Sequence, residues 1–177
     1  MANTYTQIYI QIVIVVKGRH CLIPNEKKEN LYKYITGIIR NKRHKLISIN
    51  GTSNHIHILV GLNPAEALSE LVKEVKRCST NFINEQKWLR GKFSWQEGFG
   101  GFSYSRSQLD RVVKYIENQE AHHKRKTFRK EYIEMLKKFE VVFDEKFIFE
   151  NHYCPVKSQI KTIGYENSSF GLGYNFC

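Results

Sequence analysis

The sequence predicts an α+β sandwich, an antiparallel sheet with helices on one face, and three observations carry that expectation. Short stretches rich in Ile, Val and Tyr have the composition of buried strands, and two longer basic stretches repeat apolar residues at helical spacing. The elements also follow the order strand, helix, strand, strand, helix, strand, then further helices, which is the order of a ferredoxin-like fold.

Residues 5–16 have the composition of a strand buried on both faces, and Lys17-Gly18-Arg19 ends it. This is the expected central strand. Over 26–43, Leu31, Ile35, Ile38 and Ile39 fall on one side of a helix, with Lys27, Lys28, Lys33, Arg40 and Lys42 on the other. Residues 45–49 form a short strand, Asn50-Gly51-Thr52-Ser53 has turn chemistry, and 55–62 follows as the hairpin partner. Asn63-Pro64-Ala65-Glu66 has the form of a helix start, with Asn63 as N-cap and Pro64 in the first turn, so a second helix is expected over 64–86. Its inward residues are Leu68, Leu71, Val72 and Val75. Phe93-Ser94-Trp95-Gln96 is the expected fourth strand, and Gly98-Phe99-Gly100-Gly101 a flexible joint. Ser107, with Asp110 three residues later, is expected to open a third helix over 108–122. Lys124-Arg125-Lys126 interrupts the pattern. Thr127 then caps a last helix reaching about Phe139, with Tyr132, Met135, Leu136 and Phe139 on one face. Residues 151–177 are rich in Ser, Gly, Asn and Tyr without periodicity, so the expected organisation is one domain over 1–150 and a poorly packed tail of unknown role over 151–177.

A chain of 177 residues can bury a core without disulfides or a structural metal. Lys and Arg outnumber Asp and Glu by 28 to 17, a formal charge of +11, which favours a polyanionic partner over a neutral small molecule. Cys21, Cys78, Cys154 and Cys177 lack paired spacing and no signal sequence opens the chain, so reduced thiols in a cytoplasmic protein are expected. The longest apolar stretch, 8–16, falls well short of the roughly 20 residues that a membrane span needs.

Two constellations carry chemistry. His55 and His57 lie in the apolar run Asn54-His55-Ile56-His57-Ile58-Leu59-Val60, and the two-residue period of a strand points both imidazoles to one face while Ile56, Ile58 and Val60 take the other. That geometry suits a two-pronged metal clamp, although a His-x-His pair alone also arises by chance on solvated sheet faces. Some 60 residues further on, Tyr115 and Gln119 stand four apart in a helical pattern, which brings a phenol and an amide to the same side. Together they suggest chemistry on a phosphodiester. Among ten tyrosines, Tyr32, Tyr34 and Tyr104 are expected in packing. His122 and His123 are expected to meet a helix dipole or a DNA phosphate, and Glu97 is expected as an exposed loop carboxylate.

The His-x-His strand, the Tyr-x-x-x-Gln helix, the stretch Phe93-Ser94-Trp95-Gln96-Glu97-Gly98-Phe99 and the run from Tyr115 to His123 resemble the IS200/IS605-type single-tyrosine transposases, a branch of the HUH nucleases. The resemblance covers residues 5–150. It implies that His55, His57 and Gln119 bind Mg²⁺ or Mn²⁺, a cation that such a mixed nitrogen and oxygen site suits. It implies that Tyr115 attacks the scissile phosphate, forming a 5′-phosphotyrosine link and releasing a 3′-OH that later reverses the step. Further implications are single-stranded DNA hairpins as substrate, a homodimer with sites completed across the interface, and a prokaryotic, nucleoid-associated setting. Lys73, Lys76, Arg77, Lys124, Arg125 and Lys126 are the candidate phosphate contacts. Within the same class stand a domesticated relative acting on repeated palindromes, and an initiator or relaxase, which the short chain, single helical tyrosine and lack of a helicase motif disfavour. From other classes stand a non-catalytic nucleic-acid-binding module with stacking aromatics on its central strands, and a zinc site formed by His55, His57 and Cys78.

Overall fold

The computed structural model describes residues 5–19 and 22–148. The expected tail over 151–177 therefore lies outside the described residues. The elements are β1 (Tyr9–Val15), α1 (Lys28–Asn41), β2 (Lys45–Gly51), β3 (His55–Gly61), α2 (Leu68–Glu85), β4 (Gly100–Tyr104), α3 (Leu109–Glu117), α4 (Gln119–His123), α5 (Phe128–Lys138) and α6 (Glu145–Ile148). The four strands form one sheet in the order β2-β3-β1-β4, with every neighbour antiparallel. This is the α+β sheet that the element order predicts, and β1 is central as expected.

Alternation along the two inner strands divides the core. Ile12, Ile14, Val16, Ile56, Ile58 and Val60 pack with Leu31, Ile35 and Ile39 of α1 and Leu71, Val72 and Val75 of α2. Each such side chain, fully removed from water, contributes about 1.5–3 kcal/mol. The opposite face is covered too. Val13, Val15 and Phe102 meet Phe128, Met135 and Leu136 of α5, while Leu59 meets Leu109, Val112 and Ile116 of α3. The expected single helical face thus describes α1 and α2, and the late helices add a second layer over the side that carries the histidines.

Three local expectations are corrected. The second helix begins at Leu68, four residues later than Pro64 suggested, because the groups meant to cap it are engaged elsewhere. Glu66 binds Lys42 and His44, and Asn63 closes a short turn by accepting from the Ala65 N–H. The fourth strand is not 93–96, which contributes only an isolated bridge between Val16 and Trp95. Strand β4 runs instead through the supposed glycine joint. Gly100 pairs with Val13, and a Cβ there would meet the Tyr132 hydroxyl at 2.7 Å, so this glycine permits close packing of α5 on the sheet. Gly98, at φ 70°, makes the turn into the strand.

The third helix is also broken. The chain enters it through a capping box of Ser105 and Gln108, not through Ser107, and α3 ends at Asn118 before α4 begins. Asn50 on β2 donates through Nδ2 to the Glu117 carbonyl at 2.8 Å, occupying an acceptor that a continuous helix would use. Thr127 caps α5 as expected, accepting from the Lys130 N–H.

Candidate tyrosine and metal site

Strand β3 places His55 opposite Val15 and His57 opposite Val13 of β1, so both imidazoles face the α3–α5 layer, and both are completely buried. Each ring is held from behind. His55 Nδ1 lies 2.7 Å from Asn54 Oδ1 and 2.9 Å from Thr52 Oγ1, and Thr52 gives its own hydroxyl hydrogen to Asn54. A hydrogen on Nδ1 satisfies both oxygens and leaves the Nε2 lone pair turned inward. His57 Nδ1 meets the Gln11 amide at 2.8 Å, while His57 Nε2 has no hydrogen-bond partner.

The Tyr115 ring stands edge-on to His57 with centroids 5.7 Å apart, and Gln119 is completely buried with Oε1 3.4 Å from His55 Nε2. The four residues singled out in the sequence therefore converge, despite the helix break between Tyr115 and Gln119. That break leaves Gln119 in the first turn of α4, a position the four-residue spacing of one continuous helix did not foresee.

Sequence reasoning missed Glu131. This residue of α5 is 2% exposed, accepts hydrogen bonds on Oε1 from the Tyr115 hydroxyl and from Gln119 Nε2 (3.1 Å), and has Oε1 3.8 Å from His57 Nε2. A glutamate in an amphipathic helix carries no local mark of burial, and only the packing of α5 brings this one inward. His123 was assigned to a helix end or a phosphate, yet its Nε2 lies 3.0 Å from Gln119 Oε1 and 2.8 Å from Glu131 Oε2, while Nδ1 donates to the Lys126 carbonyl at 3.0 Å. His122 Nε2 stands 3.7 Å from Glu131 Oε1. Phe128 roofs the cluster, stacked on His55 with centroids 3.9 Å apart.

Burial sets the charge state of this cluster. Desolvation, then repulsion from His123 and His122, pushes His57 down to about 3. Desolvation likewise holds His55 well below the usual imidazole range and lowers His123 to about 4. Desolvation, helped by Glu134, raises Glu131 to about 8. The histidines are therefore neutral at physiological pH, the form that can bind a metal.

The donor set fits a divalent cation. His55 Nε2 and His123 Nε2 each present a lone pair because the Nδ1 hydrogens are used elsewhere, and Gln119 Oε1 faces both of them. Acceptors facing acceptors are unfavourable without a cation or proton between them. His55, His57 and Glu131 can each offer one ligand atom, all within 4.8 Å of one another, and they form the one such His/Cys/Asp/Glu group among the described residues. The zinc alternative loses Cys78, which lies on α2 beyond the other face of the sheet, bonded to Glu74.

A cleft of about 440 Å³ opens beside Tyr115, lined among others by Tyr104, Arg111, His122, Lys126 and Lys138. The candidate phosphate contacts divide between two places. Lys124, Arg125 and Lys126 follow α4 on the site's side of the sheet, with Lys126 paired to Glu134. Lys73, Lys76 and Arg77 belong to α2 on the far side. There Lys73 and Arg77 pair with Glu70 and Glu74, and the Lys76 ammonium donates to the carbonyls of Gln96 (2.6 Å) and Gly98. Lys76 thus ties the 96–98 loop to α2. Arg111 and Lys138 were not singled out in the sequence; both border the cleft.

The antiparallel α+β sheet thus holds a buried histidine pair against a helical tyrosine, with Arg111, Lys126 and Lys138 along the adjoining cleft. A family model described as "Transposase IS200 like" matches residues 4–119, and the chain belongs to that family. The ISDra2 transposase TnpA of Deinococcus radiodurans is 23% identical over 120 residues, which cover 64% of this chain and 84% of that protein. Two solved structures share the fold. A crystal structure of a candidate transposase from Deinococcus radiodurans aligns with a TM-score of 0.51 at 20% identity, covering 67% of this chain and 96% of that one. A REP-associated tyrosine transposase bound to a REP hairpin aligns with a TM-score of 0.54 at 15% identity, covering 89% of this chain and 98% of that one. No described helix is long and apolar enough to cross a membrane.

Proposed function

We propose that this transposase cleaves and rejoins single-stranded DNA at hairpin-bearing ends through a 5′-phosphotyrosine link on Tyr115. The observation that supports it is the convergence, within one chain, of the Tyr115 hydroxyl with His55, His57, Gln119 and Glu131 at the edge of a basic cleft. His55 and His57 would hold Mg²⁺ or Mn²⁺ with an oxygen from Gln119 or Glu131, and the ion when bound supplies a Lewis acid for the scissile phosphate. The chain's own residues do the rest. Tyr115 presents its oxygen to phosphorus, the new bond forms as the bond to the 3′ oxygen breaks, and the departing 3′ oxygen takes up a proton, the counterpart of the one the phenol gives up, to leave as a 3′-OH. Glu131 Oε1, the acceptor for the Tyr115 hydroxyl, would receive the phenol proton in its ionised form, which a bound cation favours over the neutral carboxyl that burial holds up to about 8. Attack by another 3′-OH on the phosphotyrosine reverses the sequence with a new partner strand. Phe128 and the α5 layer keep bulk water from the histidines, which favours rejoining over hydrolysis.

Lys124, Arg125 and Lys126, with Arg111 and Lys138, would hold the strand by its phosphates, so affinity should fall steeply with salt. The Tyr115 helix docks against His57 and Glu131 of its own chain, which supports a homodimer whose sites are each completed within one subunit; completion across the interface is the alternative that subunit mixing decides. A resident copy acting on repeated palindromes would use the same chemistry, and subterminal palindromes beside the gene would mark a mobile element instead. An RNA-recognition type of module needs an open sheet face for stacking bases, and here helices cover both faces.

The test uses a labelled single-stranded hairpin oligonucleotide from the gene's flanks, with Mn²⁺. A protease-sensitive 5′ adduct and an extendable 3′-OH are expected from the wild type, none from His57→Ala or in EDTA, and no cutting of the same sequence as duplex. Undiminished cutting by His57→Ala or in chelator would overturn the metal reading, and a 5′-phosphate without any adduct would overturn the covalent one.

A further inference from the structure

We propose that Gln11 decides which ring nitrogen of His57 carries the hydrogen, and that the Tyr104 hydroxyl lets the Gln11 amide turn over so that His57 Nε2 can take a divalent cation. The cation half of this inference rests on the metal site proposed above. Gln11 is a completely buried amide in the middle of β1, among Val13, Val15 and Leu59 on the same face of the sheet. A polar group in such surroundings costs about 1–3 kcal/mol if left unpaired. Here both ends are paired: Nε2 lies 2.8 Å from His57 Nδ1, and Oε1 accepts from the Tyr104 hydroxyl at 2.9 Å.

This arrangement fixes a tautomer. With the amide nitrogen donating to Nδ1, that nitrogen must hold its lone pair outward, and the hydrogen of the neutral ring sits on Nε2. A hydrogen there blocks metal binding, and this is the nitrogen that faces Glu131 and lacks any hydrogen-bond partner. Turning the amide by half a revolution about its terminal bond exchanges its oxygen and nitrogen. Nδ1–H then donates to the amide oxygen, the amide nitrogen donates to the Tyr104 oxygen, and the Nε2 lone pair is free for a ligand. Both states keep every hydrogen bond, because a hydroxyl donates and accepts equally well. Tyr104 is therefore the element that makes reversal possible, and Gln11 is a positioning residue that never touches substrate. At His55 the Asn54 amide already presents its oxygen to Nδ1, the arrangement that leaves Nε2 with its lone pair.

Two substitutions separate this role from simple packing. Gln11→Glu, studied at alkaline pH where its carboxyl is ionised, offers only acceptor oxygens, so it forces a hydrogen onto His57 Nδ1; Gln11→Leu fills the space and offers nothing. Nitrogen-15 NMR of the imidazoles in the metal-free full chain should show His57 hydrogen on Nε2 in the wild type and on Nδ1 in Gln11→Glu. Manganese titration followed by electron paramagnetic resonance should show Gln11→Glu binding at least as well as the wild type, and Gln11→Leu binding about 10- to 100-fold more weakly. An unchanged His57 tautomer in Gln11→Glu, or Mn²⁺ affinity in Gln11→Leu within about twofold of the wild type, would overturn the proposal. If Gln11→Leu does not fold, the wild type and Gln11→Glu comparison still decides it. A wild-type chain that leaves all Mn²⁺ free would instead overturn the metal reading and the cation half with it, while the tautomer result, obtained without metal, decides the other half.

Discussion

A single oxygen atom of Tyr115 is asked to do two things: it is the proposed nucleophile, and it donates a hydrogen bond to the buried Glu131. Tyr115→Phe should therefore abolish every covalent product while costing about 1 kcal/mol of stability, since Glu131 keeps the Gln119 donor. Gel assays of adduct formation and thermal melting check the two parts separately. Glu131 gives a pH prediction as well. Its carboxyl is held up to about 8 by burial and then by Glu134, against an ordinary 4.5 in the unfolded chain. Between those values the unfolded state releases a proton that the folded state keeps, so this contribution is complete below 4.5 and is lost as pH rises through 8. The lowered histidines act in the opposite direction and finish near their ordinary 6.5. In EDTA, the wild type should thus lose about 2 kcal/mol relative to Glu131→Gln between pH 6.5 and 8, the histidine contribution being common to both. A parallel decline in both proteins would show that another group is responsible.

Elements, more than residues, determined where local reasoning went astray. The stretch 98–101 has the composition of a hinge, yet Gly100 and Gly101 are strand residues, and the first of them lies directly beneath Tyr132 of α5. Gly100→Ala should push α5 away from the sheet and cost about 1–3 kcal/mol by overpacking. Because α5 carries Glu131 and Phe128, metal affinity and strand cleavage should fall together with the melting temperature. Retention of full stability would mean that Tyr132 can move aside freely. A similar lesson comes from α3 and α4. Nothing local in Tyr115-Ile116-Glu117-Asn118-Gln119 demands a break, and it is Asn50, on a distant strand, that takes the Glu117 carbonyl. The Asn63-Pro64 motif failed for the same kind of reason, its Glu66 being drawn to Lys42 and His44.

For the molecule as a whole, the second helical layer brings Tyr115 against His57 and Glu131 of the same chain, and the proposed site is accordingly one completed within each copy. Mixing Tyr115→Phe with His57→Ala protein should restore no cleavage even where subunits exchange, because each copy lacks part of its own site. Recovery of activity would show that the Tyr115 helix crosses to a neighbour in solution. The family match ends at residue 119, whereas Phe128, Glu131, Met135 and Leu136 complete the cover over the histidines. A chain ending at His123 should therefore expose Val13, Val15 and Phe102, and should bind hydrophobic dye and lose cooperative melting.

The sequence by itself determined the sheet, its antiparallel hairpin, the two amphipathic helices behind it, and the convergence of His55 and His57 on one face. These follow from periodicity, which the backbone imposes residue by residue and which a reader can count. It also determined that Tyr115 and Gln119 belong near that face. What only the tertiary structure decided was the strand that closes the sheet, the break after Glu117, and the arrival of Glu131 and His123 in the site. Each depends on a partner far along the chain: Tyr132 over Gly100, Asn50 on Glu117, and the packing of α5 against Val13, Val15 and Phe102. A buried carboxylate is tolerated only where distant donors satisfy it, and no local pattern in 128–138 announces that Tyr115 and Gln119 will be those donors.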